Sequence, residues 1–243
     1  VRYLVLADIH ANLQALEAVL ADAARRGYDQ VLVLGDLVGY GADPVAAIDR
    51  TFDLNPVAII RGNHDKVCAG LEPAIEFNDA ARISAEWTAA TLPEGHRARL
   101  AALPQGPVQV TENLQICHGA PFDEDYYVFD LDDAAQALDS VTARLCLFGH
   151  THVPAAYASA EDPIRARDIA GTDLILPALP SLVNVGSVGQ PRDGDPRAAY
   201  GLLDLEKDSL QLCRVEYDIA EAQARIRAAR LPEWLAVRLG QGH

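Results

Sequence analysis

The chain has 243 residues, half of them hydrophobic, so it can bury a sizeable core and does not have the composition of a disordered chain. A formal net charge of −15 argues against a broad, charge-driven grip on nucleic acid or an anionic membrane, since both are polyanions. Solubility is the plainer reading of that charge, but it also suits recruitment of cations and leaves room for a nucleotide or short phosphodiester at a locally cationic site.

In chain order, the first apolar run, Arg2 to Ala7, ends at Asp8. Leu13, Leu16, Val19 and Leu20 then fall at helical spacing, predicting a helix to about Arg26 before Gly27. Two further apolar runs follow, Val31 to Leu34 ending at Gly35-Asp36, and Val57 to Ile60 ending at Gly62-Asn63-His64-Asp65. Strands that are apolar throughout and alternate with helices imply a sheet covered on both faces. From Leu71 to Leu103 the spacing is helical, with breaks at Pro93 and Gly95, predicting two inserted helices that serve either as a shoulder over the site or as plain core helices. Strands return at Val108–Val110, Leu114–Cys117 and Leu145–Phe148, the last two ending at His118-Gly119 and Gly149-His150-Thr151-His152. Short strands are expected near Ala155–Ser159, Asp173–Leu176, Leu182–Val185, Ala199–Leu205 and Leu210–Tyr217, before a closing helix from Ile219 to about Arg230. No repeat or low-complexity linker divides the chain, so one domain over 1–243 with a helical insertion at about 71–103 is expected. The four cysteines are scattered, and buried reduced thiols are the default. With no leader-like segment and no run of membrane-spanning length, a soluble cytoplasmic protein is expected; its oligomeric state cannot be read.

Five times an apolar strand ends in residues able to bind metal. In open α/β sheets ligands gather at the carboxyl ends of strands, so residues far apart in sequence can be pooled there. A two-metal hydrolytic site needs a carboxylate that bridges the ions, further oxygen and imidazole ligands, and an open position for water and substrate. Asp36, alone on its loop beside Gly35, is the natural bridge. Asp8 and His10 share a strand face, His150 and His152 repeat that spacing, and Asn63 offers a neutral carbonyl oxygen. Each fragment alone has a bland explanation in packing or solvation. Together they hold five of the seven histidines, which packing does not explain; His96 and His243 lie elsewhere.

In this order, D-x-H, G-D, G-N-H-D, H-G and G-H-x-H resemble the signature of the calcineurin-like metallophosphoesterases, from Asp8 to His152. The stretch Asn184 to Arg192 is similar to a loop of small prokaryotic phosphodiesterase-type members. The resemblance implies a four-layer α/β/β/α sandwich of two mixed sheets flanked by helices. It implies one metal on Asp8, His10 and His152, a second on Asn63, His118 and His150, and Asp36 between them. His64 would stand near the scissile phosphate, donating a proton to the leaving oxygen or stabilising the transition state. The implied reaction is in-line attack on phosphorus by a metal-activated water or hydroxide, with no phosphoenzyme. Manganese is the foremost candidate ion; iron, nickel, zinc and magnesium also fit, the mixed ligands favouring a transition metal over magnesium.

Relatives among protein phosphatases and dinucleoside-tetraphosphate hydrolases carry, after the second motif, an arginine that grips phosphate, in the phosphatases preceded by an acid. Here Gly39 and Tyr40 stand at those positions, and Asp65 stands where protein phosphatases have glutamate. A diester carries one negative charge and needs less cationic grip than a monoester, so a phosphodiesterase acting on a small phosphate ester or nucleotide is expected. A phosphomonoesterase or nucleotide pyrophosphatase is the alternative, and a non-catalytic metal-bound scaffold is a third reading. Neither extended nucleic acid nor membrane is an expected partner. Arg192 is a candidate substrate contact, or else a surface arginine paired with Asp193 or Asp195; Asn12 is read as a helix cap.

Overall fold

The computed structural model describes residues 1–159 and 173–243. Two mixed sheets lie face to face. The first has six strands in the order β3 (Ala58–Ile59), β2 (Gln30–Val33), β1 (Arg2–Leu6), β10 (Ala198–Asp204), β11 (Ser209–Val215) and β8 (Asp173–Ile175). β1, β2 and β3 run parallel, and the rest alternate in direction. The second has β4 (Val108–Thr111), β5 (Leu114–Ile116), β6 (Leu145–Phe148), β9 (Ser181–Asn184) and β7 (Ala155–Ala158), in which β5, β6 and β9 are parallel.

The period-two alternation of strand side chains sorts the core into layers. Along β1, Tyr3 and Val5 point between the sheets, where they meet Leu32, Ile116, Leu147, Val183 and Leu203. Leu4 and Leu6 point the other way, onto Leu16, Val19 and Leu20 of α1 (Leu13–Arg26) and Ile48 of α2 (Pro44–Asp53). On the far side, Cys146, Phe148 and Leu182 pack against Ala134 and Ala137 of α6 (Leu131–Leu138). Both sheets are thus covered on both faces, which is why their strands read as continuous apolar runs. The result is the four-layer sandwich of two mixed sheets flanked by helices.

The segment after α3 (Asn63–Cys68) holds a 3-10 turn at Ala74–Glu76, then α4 (Asp79–Thr91) and α5 (Glu94–Ala101). Pro93 separates the two helices as expected, but Gly95 does not break the second: it sits in the first turn of α5, where an interior helix penalty hardly applies. Ala85, Leu92, Leu100 and Leu103 join the same core as α1, so these are core helices; toward the site, Phe77 covers His64, and Ser84 and Ala81 of α4 meet Tyr40. The C-terminal part forms α7 (Ile219–Ala228) and a further helix, α8 (Glu233–Leu239), the two packed on Tyr40 and Ala81. All four cysteines are free and buried, Cys117 and Cys146 having sulfurs 3.5 Å apart on adjacent strands. Among the described residues no helix is long and apolar enough to cross a membrane.

Candidate metal centre

The carboxyl ends of β1, β2, β3, β5 and β6 converge at one edge of the sandwich, and the loops there carry Asp8, His10, Asp36, Asn63, His64, His118, His150 and His152. All eight are buried. Turning a strand end so sharply requires unusual backbone: Asp8, His10, Asp36, His150 and His152 all have φ between +49° and +67°. Such left-handed conformations cost about 1–3 kcal/mol each and persist only where the surroundings over-determine them. Asp and His tolerate this region better than most residues.

The geometry falls into two clusters that share one residue. Asp8, His10, Asp36 and His152 form the first, and Asp36, His118 and His150 the second. Asp36 Oδ2 stands 3.5 Å from His10 Nε2 and 3.4 Å from His118 Nε2, so a single oxygen faces both groups. Its other oxygen accepts the His64 backbone N–H at 2.9 Å. Asp8 accepts the backbone N–H of His150, and its Oδ1 lies 3.5 Å from His152 Nε2. Asn63 presents its side-chain oxygen 3.3 Å from His118 Nε2.

Four of the five imidazoles, all but that of His64, are fixed from behind by a backbone carbonyl. Nδ1 of His10 donates to Val38 O (3.0 Å), that of His118 to Leu34 O (2.8 Å) and that of His152 to Gln190 O (2.6 Å). His150 is turned the other way, its Nε2 donating to Asp125 O at 3.1 Å. A ring nitrogen that donates to a carbonyl carries the proton, and in the rings that burial keeps neutral, His10, His150 and His152, the opposite nitrogen is a lone pair aimed at the centre. His10 Nε2 and His152 Nε2 consequently face each other at 3.0 Å, and burial pushes both rings well below the usual histidine range. Two unprotonated lone pairs at that distance repel unless a cation lies against them. The donor set of imidazole nitrogens, carboxylates and one amide oxygen therefore fits divalent transition ions. Among the residues themselves, burial would raise the Asp36 carboxyl, yet His118, His64 and His10 hold it below the usual carboxylate range. Burial would lower His118, but Asp36 and Asp8 push it up to about 10.

The surroundings include residues to which the sequence assigned no role at the centre. Asp65 accepts the backbone N–H groups of Leu37, Val38 and Gly62, pinning the β2 loop to the start of α3; its role here is structural. Tyr127 stacks on His150 with ring centroids 3.7 Å apart, and Phe77 covers His64 at 4.5 Å. Lys66, buried in α3, pairs with Glu72, Glu124 and Asp125, fastening the loop that carries Tyr127. No periodic pattern marks these residues; the one local signal that could have pointed to them is the aromatic run at Tyr126, Tyr127 and Phe129.

His64 lies between Tyr40 (4.3 Å between centroids) and Phe77, and its Nδ1 has no hydrogen-bond partner. Burial brings its pKa down to about 4. Gly39 has φ +88°, and a Cβ there would run into His64 Nδ1, so no side chain at 39 can orient this ring. Arg192 does not pair with its acidic neighbours, because Arg214 takes Asp193 and Arg197 takes Asp195. It bonds instead to Gln190 Oε1 (2.9 Å) and to the Tyr40 hydroxyl (3.3 Å), at the rim of the centre. Asn12 caps α1 as expected, accepting the Ala15 N–H at 3.1 Å.

A profile of the calcineurin-like phosphoesterase superfamily domain matches residues 1–208. The chain is 35% identical to the uncharacterized protein MJ0912 of Methanocaldococcus jannaschii, over 98% of this chain and 97% of that one. It is 36% identical to a metallophosphoesterase from Sphaerobacter thermophilus whose crystal structure matches with a TM-score of 0.89 over the whole of both chains. The hypothetical protein PH1004 from Pyrococcus horikoshii OT3, at 23% identity, shares the fold with a TM-score of 0.81, covering 100% of this chain and 98% of that one.

Proposed function

The chain belongs to the calcineurin-like phosphoesterase superfamily and is a metal-dependent phosphoesterase, and from that premise we propose that it is a phosphodiesterase working with two divalent ions, manganese foremost. The observation that carries the dinuclear reading is the single Asp36 oxygen lying within 3.5 Å of a histidine from each cluster. Asp8, His10 and His152 would hold one ion, Asn63, His118 and His150 the other, with Asp36 common to both. When bound, such ions neutralise the phosphate oxygens and make water acidic enough to act as nucleophile near neutral pH.

The rest of the work falls to this chain's own side chains. His64 is tied to the centre by its backbone N–H, which bonds to Asp36, and its ring lies edge-on to His10 with centroids 4.9 Å apart. From there it donates a hydrogen bond or a proton to the oxygen on which charge develops. Tyr40, Phe77 and Tyr127 wall the centre with aromatic surface, which excludes water and strengthens the electrostatics inside. Arg192 contacts substrate from the rim rather than gripping the reacting phosphate.

The diester preference rests on that economy of cations. Gly39 supplies no acid to His64, and Tyr40 supplies an aromatic face where relatives carry a phosphate-gripping arginine. A phosphate with two negative charges would find less compensation here than one with a single charge. The deciding experiment compares bis-p-nitrophenyl phosphate with p-nitrophenyl phosphate on purified protein loaded with manganese, alongside metal analysis. A higher kcat/KM on the diester with two ions per chain is expected. A clear monoester preference sinks the diester reading, and no turnover of either despite two bound ions would mean a metal-bound scaffold.

A further inference from the structure

Tyr127 and Phe129 lie on the loop leading into α6, with rings parallel to within 3° and centroids 5.1 Å apart. Tyr127 is also the ring stacked on His150, so an imidazole, a phenol and a phenyl ring follow one another away from the centre. Exposure rises along this series, from 3% at His150 through 40% at Tyr127 to 57% at Phe129. Exposed aromatic rings forgo the gain of burial, and here two of them are held parallel against a buried imidazole instead of folding into the core.

Beside them lies a cavity of about 180 Å³, lined by Val128 and Phe129 from the loop, by Thr151 and Val153 after β6, and by Pro154 and Tyr157. Thr151 stands between His150 and His152, so one wall of the cavity is the same stretch of backbone that carries two of the proposed ligands. None of the lining residues is charged. The Thr151 hydroxyl is taken up by Asn184 and by the backbone N–H of Val153, and the Tyr157 hydroxyl meets the Phe129 carbonyl at 3.5 Å. The walls therefore offer flat and aliphatic surface, which suits neither a phosphate nor a sugar. An apolar cavity of about 150 Å³ accepts one benzene ring, so the size fits a single flat ring system and is too small for a helix or strand of a partner protein. Stacking on aromatic side chains is how proteins hold nucleobases without recourse to charge.

We propose that Phe129, Tyr127 and this cavity form a nucleobase subsite, so that the ester hydrolysed at the centre belongs to a nucleotide. This rests on the phosphoesterase reading of the centre, with the reacting phosphate at the ions and the base beyond Tyr127. Stacking then supplies affinity where the centre is sparing with cations, and the rings, already ordered by one another and by His150, lose little freedom on receiving the base.

The test measures binding and turnover separately. Adenosine 5′-monophosphate and ribose 5-phosphate, which present the same phosphate with and without a base, are titrated by calorimetry into the manganese-loaded protein and into its Phe129→Ala and Phe129→Tyr variants. The wild type should bind the nucleotide roughly tenfold more tightly, within the range for a base stacked on an aromatic side chain. Phe129→Ala should bring that ratio to about two or less, while Phe129→Tyr should keep it because the aromatic face remains. Equal affinity in the wild type, or a preference that survives Phe129→Ala, overturns the subsite. Taking a ratio within each protein cancels any general loss of folding or metal. Hydrolysis of bis-p-nitrophenyl phosphate by the same wild-type preparation reports on the centre: if it is absent while the preference for the nucleotide stands, the catalytic reading fails and the subsite does not.

Discussion

At the scale of single residues, the proposed function separates seven ligands from one group, His64, that acts on substrate, and the two kinds should fail differently. Asp36→Asn is expected to lose metal, because the shared oxygen becomes a neutral amide between two imidazole clusters. His64→Ala should keep both ions by elemental analysis and lose roughly 10²–10⁴-fold in kcat, the range for a positioned proton donor. Loss of metal in His64→Ala would overturn that division. These eight residues were legible in the sequence because each follows a run that packing fills with apolar side chains, so a polar residue at its end has no packing explanation. Three things were not legible: which Asp36 oxygen faces both clusters, which imidazole nitrogen points inward, and the role of Tyr127. All depend on left-handed backbone at Asp8, His10, Asp36, His150 and His152, and on loop contacts that no periodicity encodes. The alternatives for Arg192 were likewise decided only in space, once Arg214 and Arg197 were seen to occupy its acidic neighbours.

At the scale of elements, the strands that carry the ligands were readable and several helices were not. α2, between Pro44 and Asp53, has Ile48 as its only large fully buried side chain and so shows a weak apolar stripe. α6 buries only Ala134 and Ala137, too small a face to stand out as an apolar stripe, and α8 is seven residues long. The longer helix α1 is tied to the sheet by a polar contact as well as by its leucines. Asp22 accepts the Tyr200 hydroxyl at 2.7 Å and also the guanidinium groups of Arg25 and Arg26. Burial would raise the Asp22 carboxyl, but Tyr200 and Arg26 hold it below its ordinary value. A depressed carboxyl pKa contributes stability above the unfolded value of about 3.9, and that contribution is lost as pH falls through the folded value. Tyr200→Phe should therefore cost about 1 kcal/mol at pH 7 in urea denaturation, with the deficit fading as pH falls below the ordinary carboxylate range. A deficit unchanged across that range would mean that the phenol matters for packing only.

At the scale of the molecule, the proposed ligands come from both sheets: Asp8, Asp36 and Asn63 follow strands of the first, while His118 and His150 follow strands of the second. Ions shared between them would add to the cohesion of the sandwich by mass action. Removing metal with a chelator should lower the melting temperature by roughly 10 °C, as a few kcal/mol of linked binding implies for a chain of this size. Manganese should restore it, and a melting temperature indifferent to chelation would place the ions outside the folding equilibrium. The carbonyls behind the imidazoles extend this further. His10 reaches across 28 residues to Val38, His118 across 84 to Leu34, His150 across 25 to Asp125 and His152 across 38 to Gln190. Each ring is thus a stitch between two distant stretches of backbone before it is anything to a metal. Free imidazole supplied to a His→Ala or His→Gly variant could return a nitrogen to the ion, but it would leave the seam unsewn.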